Sequence, residues 1–147
     1  MKRGSETAEY YSYVNGRMGE METVSIIIVN LNGARHLKNC LGSINRLDYP
    51  KEMVEVIVFD NGSTDNSLDI VREVCPDANI IEHPENLGFA PPHRIAAEAA
   101  KGNVLAFLNN DTRVDSQWIR EGTSVLDRSE GIVCSASKLM TWNGKRV

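Results

Sequence analysis

The stretch Val54-Glu-Val-Ile-Val-Phe-Asp-Asn-Gly-Ser-Thr-Asp65 decides the fold expected for this sequence. Its first six residues are rich in apolar and β-branched side chains, which predicts a strand buried on both faces, as in a parallel sheet. Residues 60–65 then predict a loop. A carboxylate at the tip of an apolar strand, such as that of Asp60, is partly desolvated and therefore requires a hydrogen-bond donor or a cation.

Strand and helix patterns alternate on both sides of this stretch. Strands are predicted at residues 24–29, 54–59, 79–81, 103–108 and 131–134. Helices are predicted at residues 34–47, from a cap at Ser63 or Thr64 to residue 74, at 91–100 and at 115–128. This alternation predicts an α/β fold of three layers, with a mostly parallel central sheet and helices on both faces.

Composition limits the possible functions. The chain has 147 residues and a formal net charge of −4, so it lacks the basic footprint of a nucleic-acid-binding protein, and no nucleic-acid partner is expected. The three cysteines, Cys40, Cys75 and Cys134, contain no C-x-x-C pair and indicate neither a disulfide framework nor a zinc site. We expect free, buried thiols in a reducing cytoplasm.

The amino-terminal residues differ in composition from the rest. Residues 1–22 are polar and have no apolar core of the kind a signal peptide requires, which predicts a flexible leader. The domain itself is predicted at residues 23–147. Its longest apolar runs are far too short to span a membrane, so a cytoplasmic location is expected.

The candidate site lies in three loops. In open α/β sheets, ligands bind at the carboxyl ends of the strands, which directs attention to the segments after residues 29, 59 and 108. These segments are Asn30-Leu-Asn-Gly33, Asp60-Asn-Gly-Ser-Thr-Asp65 and Asn109-Asn-Asp-Thr112. A nucleotide could supply hydrogen-bond donors to such side chains, and a divalent metal holding a diphosphate could supply the cation.

Four segments, in this order, resemble the signatures of family 2 glycosyltransferases. They are Val24-Ser-Ile-Ile-Ile-Val-Asn-Leu-Asn-Gly33, Val58-Phe-Asp-Asn-Gly-Ser-Thr-Asp65, Asn86-Leu-Gly-Phe-Ala90 and Phe107-Leu-Asn-Asn-Asp-Thr112. The resemblance covers residues 24–137 and implies a Rossmann-like fold of the GT-A type. The Asn-Asn-Asp form is similar to a rhamnosyltransferase-like branch. The chain would be the nucleotide-sugar-binding part, without the acceptor-binding half.

The resemblance also implies roles for individual residues. The implied nucleotide-binding residues are Asn30, Asn32, Asp60, Asn61, Ser63 and Asn109. Among them, Asp60 would accept a hydrogen bond from the base, while Asn61 or Ser63 would shape that loop. Asn109 would lie near the ribose, in place of the first D-x-D aspartate. Asp111 would coordinate Mn²⁺ or Mg²⁺, which neutralises the leaving diphosphate.

This sequence departs from the family pattern in three respects. Asn109 replaces a carboxylate of the metal motif, which could lower metal affinity. Pro91 and Pro92 remove two backbone donors where the family has small and amide residues. The catalytic base of the family is a carboxylate in the acceptor-binding half, and an inverting displacement requires such a base. We therefore assign no catalytic residue within this chain and expect the base downstream of it.

Each candidate residue also has a purely structural interpretation. Asp60 could cap the following helix, as could Asp65, and Asp111 could form an Asx turn with Thr112. For Asp60 and Asp111 we favour ligand binding. For Asn30 and Asn32, turn formation and ligand contact are equally well supported by the sequence.

The predicted function is metal-assisted transfer, with inversion, of a sugar from a UDP, dTDP or GDP sugar to a glycan or lipid-linked acceptor. Such a reaction belongs to cell-wall or polysaccharide biosynthesis. The alternative is a non-catalytic or split nucleotide-sugar-binding module that lacks its base. A phosphatase of the haloacid-dehalogenase type is excluded because Gly62 stands where its second acidic residue is required. A homodimer or association with the inner face of the membrane is also expected.

Overall fold

The chain folds into alternating strands and helices from residue 24 onward. The computed structural model describes residues 11–14, 17–126 and 130–141. The strands are β1 (Tyr11–Val14), β2 (Arg17–Glu20), β3 (Val24–Asn30), β4 (Val54–Asn61), β5 (Asn79–His83) and β6 (Val104–Phe107). The helices are α1 (Ala34–Ile44), α2 (Ser67–Val74), α3 (Ala90–Ala99) and α4 (Trp118–Ser124), with a 3-10 turn at Lys51–Met53. The predicted α/β class is confirmed.

The central sheet contains four parallel strands in the order β5-β4-β3-β6. Strand β3 pairs with β4 along its whole length, from Val24 opposite Val54 to Asn30 opposite Asp60. On its other side, β3 pairs with β6, with Val24 opposite Val104. Because the strands are parallel, their carboxyl ends all lie at the same end of the sheet. The loops that follow β3, β4 and β6 therefore lie close together at that end.

One face of the sheet is covered by α1 and α2. The even-numbered residues of β3, such as Ile26 and Ile28, are fully buried there against Leu37 and Leu41 of α1 and Val71 of α2. The residues of α1 that face the sheet recur at intervals of three and four, as expected for an amphipathic helix. This periodicity made α1 predictable.

The opposite face is covered by α3. Ile27, Ile57 and Phe59 pack there around Ala96, which is fully buried. Alternating residues of β3 and β4 thus enter two different cores, so both strands read as continuous apolar runs in the sequence. The predicted arrangement of helices on both faces of the sheet is confirmed.

Helices α1 and α4 are both shorter than predicted. Helix α1 ends at Ile44, not at residue 47, since the Arg46 and Leu47 N–H groups donate to carbonyls three residues back. Helix α4 begins at Trp118 rather than 115, since the side chain of Asp115 accepts from the Gln117 N–H and forms a preceding turn. It ends at Ser124 rather than 128, and the Leu126 N–H donates to the Thr123 carbonyl three residues back.

Two further predictions about the elements were wrong. Helix α2 begins at Ser67 after Asn66, so neither Ser63 nor Thr64 caps it, and both belong to the loop. The predicted strand at 131–134 is not formed, and Ile132 makes only an isolated bridge. Val133, with 75% of its surface exposed, lacks the burial on both faces that stabilises a strand in a parallel sheet.

A two-stranded hairpin lies within the segment predicted to be a leader. Strands β1 and β2 pair antiparallel, with Tyr11 opposite Glu20 and Val14 opposite Arg17. Residues 1–10 and 15–16 lie outside the described residues. The leader prediction did not anticipate this pairing, and the boundary at residue 23 remains a prediction.

Strand β6 forms one edge of the sheet and is partly exposed. Leu105 is 40% exposed and Phe107 is 53% exposed, on the face that α3 covers elsewhere. A wide cavity of about 1870 Å³ runs beside β6 towards α4 and residues 132–141. Within the described part of the chain, no helix has the length and apolar character needed to cross a membrane.

Two glycines provide a matched test of this packing. A Cβ at Gly102 would lie 2.5 Å from the Ser25 nitrogen and 2.7 Å from the Val24 carbonyl carbon, whereas one at Gly42 would meet only Arg46, at 3.6 Å. We expect Gly102→Ala to lower the free energy of unfolding by about 1–3 kcal/mol, because the backbone of β3 would have to shift. Gly42→Ala should raise it by about 0.5–1 kcal/mol through helix propensity. Urea denaturation measures both, and equal effects would contradict this account.

Candidate functional site

The side chain of Asn30 joins the three loops predicted to form the site. Its Nδ2 donates to Asp60 Oδ1 at 3.1 Å and to Ser63 Oγ at 3.0 Å. Its Oδ1 accepts from Asn110 Nδ2 at 2.8 Å. Asn30 is fully buried, so these bonds replace the water that the amide loses on folding. The buried amide of Asn30 thus links the three loops to one another. Its contact with a nucleotide remains a prediction.

The Asp60 carboxylate is held in place from two sides. It is 3% exposed; Oδ1 accepts from Asn30, and Oδ2 accepts from the Ser63 N–H at 3.0 Å. The alternative of a helix cap does not fit, because α2 begins at Ser67. Each carboxylate oxygen can accept more than one hydrogen bond, so Asp60 retains capacity for a further donor.

Asn32 and Ser63 connect the first loop to the second. The Asn32 N–H donates to Ser63 Oγ at 2.9 Å, and Asn32 Oδ1 accepts from the Thr64 N–H at 2.8 Å. Asn32 has a φ of 51°, a left-handed conformation that asparagine tolerates. Because Ser63 Oγ accepts from both Asn30 and Asn32, its own hydrogen is directed elsewhere and could be donated to a ligand.

Asp65 and Ser67 fix the starts of two helices. Asp65 accepts from the Ala34 N–H at 3.0 Å and from the Ser67 N–H at 3.0 Å, and Ser67 Oγ accepts from the Gly33 N–H. Partial desolvation opposes ionisation of Asp65, but the hydrogen bonds from Ser67 and Ala34 outweigh it and lower the pKa of this carboxyl. Asp65 thus satisfies first-turn donors of both α1 and α2, in agreement with its structural interpretation.

Asn61 attaches the third signature segment to β4. Its Nδ2 donates to Asn86 Oδ1 and to the Gly88 carbonyl, both at 2.9 Å. Its Oδ1 accepts from the Leu87 N–H at 2.8 Å. The side chain is only 3% exposed. Both of its donors are therefore used by the protein, and Asn61 shapes the wall of the site.

The segment from Asn109 to Thr112 forms a turn that leaves Asp111 exposed. The Asn109 carbonyl accepts from the Thr112 N–H at 3.2 Å and from its hydroxyl at 2.6 Å. The turn thus closes through the Asn109 backbone, and these bonds do not involve the Asp111 carboxylate. The predicted role of Asp111 in metal binding, and its alternative as an Asx-turn residue, remain predictions.

A cleft of about 370 Å³ opens where these loops converge. It is lined by Val29, Leu31, Asn61, Asn86, Gly88, Phe89, His93, Asn109, Asn110 and Asp111. Of the predicted site residues, Asn61, Asn109 and Asp111 line the cleft, whereas Asn30, Asn32, Asp60 and Ser63 are not among its lining residues. The larger cavity beside β6 shares Asn109 and Asp111 but includes none of the side chains after β3 and β4. We therefore place the candidate site in the smaller cleft.

The residues around Asp111 fit a metal ion shared with a ligand. Among the described residues there is no group of three or more His, Cys, Asp and Glu side chains that could hold a metal. Asp111 is the one carboxylate among the described residues that line the cleft, and Asn109, two residues before it, lines the cleft as well. Mg²⁺ and similar cations commonly bind through one or two carboxylates, with substrate phosphates and water completing the shell. The donor set suits a metal ion held jointly with a diphosphate.

The cysteines take no part in this chemistry. Burial of Cys40, with a smaller contribution from the charge of Asp111, raises the pKa of its thiol to about 12. At neutral pH it therefore remains a thiol, which is neither a nucleophile nor a metal ligand. Cys75 is also buried, and burial raises the pKa of its thiol. Cys134 is exposed, so the expectation that all three thiols are buried was wrong for that residue.

Comparison with known proteins identifies the family. The sequence profile described as "Glycosyl transferase family 2" matches residues 25–144. The chain belongs to this family. The match includes the four signature segments except for Val24, the first residue of the first one. The resemblance seen in the sequence is thus confirmed at family level, whereas the rhamnosyltransferase-like branch remains a prediction.

Individual relatives agree with this assignment. Glycosyltransferase AglE of Haloferax volcanii is 33% identical over 106 residues, which cover 70% of this chain and 35% of AglE. The structure of Staphylococcus aureus TarS in complex with UDP-GlcNAc is similar, with 26% identity, a TM-score of 0.64 and coverage of 67% of this chain and 29% of TarS.

A third similar structure is the mannosyltransferase PcManGT from Pyrobaculum calidifontis in complex with GDP-Man and Mn²⁺. It has a TM-score of 0.65 and 27% identity, covering 70% of this chain and 32% of PcManGT. These likenesses confirm the GT-A fold. The chain spans about a third of the length of these relatives.

The role of Asn61 in the wall of the cleft leads to a stability prediction. Asn61→Ala removes the three partly buried hydrogen bonds of a buried side chain and should lower the free energy of unfolding by about 2–3 kcal/mol. Asn45→Ala is the matched control, because Asn45 makes a single exposed bond to the Val74 carbonyl, and it should cost less than about 1 kcal/mol. Urea denaturation at neutral pH measures both. Equal losses would show that Asn61 does not hold the loop.

Thiol chemistry tests the burial of Cys40 beneath the Asn109–Thr112 turn. In the native protein, a thiol reagent such as Ellman's reagent should react rapidly at Cys134 and slowly at Cys40 and Cys75, because only Cys134 is exposed. Cys134→Ser should remove the rapid phase, while Cys40→Ser should leave it intact. Rapid labelling of Cys40 would contradict the described packing.

Proposed function

We propose that this chain forms the donor-binding part of an inverting glycosyltransferase that uses a UDP, dTDP or GDP sugar and a glycan or lipid-linked acceptor. Membership of glycosyltransferase family 2 supports the general part of this proposal, which is the transfer of a sugar. The observation that supports the donor site is the hydrogen-bonded cluster of the Asn30, Asp60, Ser63 and Asn110 side chains, which joins three loops beside an open cleft.

Asp60 is proposed to recognise the nucleobase. Its carboxylate is fixed by Asn30 and by the Ser63 N–H and has unused lone pairs. The imino N–H of uracil, thymine or guanine is a donor that such a carboxylate can accept from. A preorganised acceptor loses little conformational entropy when the ligand binds, which favours affinity and selectivity.

Asp111 and Asn109 are proposed to hold Mn²⁺ or Mg²⁺ together with the diphosphate. Such an ion, when bound, stabilises the negative charge that develops on the departing diphosphate. Both residues are exposed and line the cleft, and the structure of the similar mannosyltransferase is a complex with GDP-Man and Mn²⁺. The replacement of a carboxylate by Asn109 implies a weaker hold on the metal than two carboxylates would provide.

The base that would take the acceptor proton is not assigned. Asp111 is the only carboxylate among the described residues that line the cleft, and it is proposed to bind metal. This observation also favours a second candidate function, a nucleotide-sugar-binding module that is non-catalytic or acts with another polypeptide. Release of nucleotide diphosphate in the presence of an acceptor would distinguish the enzyme from such a module.

Isothermal titration with UDP, dTDP and GDP, each with and without Mn²⁺, tests the donor site. We expect one of them to bind more tightly in the presence of metal. Asp60→Ala should weaken that binding at least tenfold, or about 1.4 kcal/mol. Asp111→Ala should instead abolish the effect of Mn²⁺ while leaving metal-free binding in place. Glu73→Ala, which removes an exposed carboxylate paired with Lys38, is the control for charge and should change neither value.

Three outcomes would contradict this assignment. If the folded wild-type protein binds none of the three nucleotides, the donor site is rejected. If Asp60→Ala binds as tightly as wild type, base recognition lies elsewhere. If Asp111→Ala unfolds the protein, Asp111 is a structural turn residue. Circular dichroism of each variant separates loss of binding from loss of fold.

A further inference from the structure

Asn110 lies between the two residues proposed to hold the metal, yet its amide is directed towards the sheet. Its Nδ2 donates to Asn30 Oδ1 at 2.8 Å, across 80 residues of sequence. Its neighbours Asn109 and Asp111 are exposed at the cleft, whereas Asn110 is half-buried. The middle residue of the motif therefore anchors the metal loop to the end of β3.

The hydrogen bonds through Asn30 have a fixed direction. Asn110 donates to Asn30, and Asn30 in turn donates to Asp60 and Ser63. If the Asn30 amide were reversed, its oxygen would face the Asp60 carboxylate and its NH₂ group would face the NH₂ group of Asn110. Both contacts would be unfavourable, so the orientation of Asn30 depends on Asn110 as well as on Asp60.

Gly33 provides the space for this contact. A Cβ at position 33 would lie 2.1 Å from Asn30 Oδ1 and 2.3 Å from Asn110 Nδ2. A Cβ atom does not approach other heavy atoms so closely, so any larger residue at position 33 would displace both Asn30 Oδ1 and Asn110 Nδ2. The backbone of the first loop thus approaches the Asn30–Asn110 hydrogen bond as closely as a residue without a side chain allows.

We propose that Asn110 is a positioning residue that couples the loop carrying Asp111 to the base-binding Asp60 through the buried amide of Asn30. The proposal rests on the proposed function, because it concerns two subsites of the same donor site. Without Asn110, the Asn30 oxygen loses that donor, and the amide is held only by the two bonds that its NH₂ group donates. The Asn30 side chain is then less firmly fixed, and the side chains of Asp60 and Ser63, which accept from it, become less firmly fixed with it. A change in the loop that carries Asp111 therefore weakens binding of the base.

Hydrogen exchange in the ligand-free protein tests the structural half of this proposal. The Ser63 and Asn32 N–H groups donate to Asp60 Oδ2 and Ser63 Oγ, so they report on both acceptors that Asn30 positions. We expect Asn110→Ala to accelerate exchange of both amides about tenfold, while the Val58 amide in β4 stays protected. Asn110→Asp, which keeps the shape but removes the donor, should act likewise, and either variant suffices if the other fails to fold. Asn45→Ala is the control and should leave both amides unchanged.

Nucleoside binding tests the functional half. The probe is the nucleoside whose diphosphate binds wild type, titrated without metal, so that neither phosphate nor cation contacts the loop of Asn110. We expect Asn110→Ala to lower its affinity three- to tenfold. Gly33→Ala, which displaces the same hydrogen bond from the other side, should have an effect of the same sign.

The possible outcomes separate this proposal from the proposed function. Unchanged exchange of the Ser63 and Asn32 amides in Asn110→Ala would overturn the coupling. Accelerated exchange with unchanged nucleoside affinity would also overturn it, since the contact would then serve only to hold the loop. If wild type binds no nucleotide, the proposed function fails, whereas the exchange experiment still decides whether Asn110 positions Asp60.

Discussion

The in-register pairing of β3 with β4 is the constraint on which the rest of the site depends. It sets Asn30 directly opposite Asp60 at the carboxyl ends of the two central strands, with both side chains on the face covered by α1 and α2. A shift of one residue would turn one of them to the opposite face. A buried amide and a buried carboxylate are costly unless they are hydrogen-bonded, so the bond between Asn30 and Asp60 stabilises both side chains. Ser63 and Asn110 supply further hydrogen bonds to this pair.

Much of the fold could be predicted because its signals are local. The apolar runs of β3 and β4 and the helical spacing of α1 each follow from a few neighbouring residues. The run at 131–134 carries the same kind of signal, but a strand also requires a partner and cover, and these are not visible in so short a segment. The hairpin of β1 and β2 was missed even though Asn15-Gly16, a strong short-range hairpin signal, lies between them.

The candidate site could be predicted only in outline. Asp60 and Asp111 stand at strand ends, so their approximate places followed from the topology rule for α/β sheets. The direction of each side chain did not, because it depends on contacts between distant loops. Asn30 and Asn61 were assigned to the nucleotide, yet their amides bind other loops of the protein. Asn110 and Gly33 were overlooked, since their importance arises from a contact across 80 residues.

The parallel topology also determines when the donor site can form during folding. Strand β3 cannot pair with β6, nor Asn30 with Asn110, until a loop of 80 residues has been closed. Contacts so distant in sequence slow folding, because chain entropy is lost before they contribute stability. During synthesis, β3 and β4 can associate as soon as both have left the ribosome, whereas the cleft is completed only after residue 110 emerges. The donor site therefore cannot be completed until its most distant loop has been made, long after its first strand has left the ribosome.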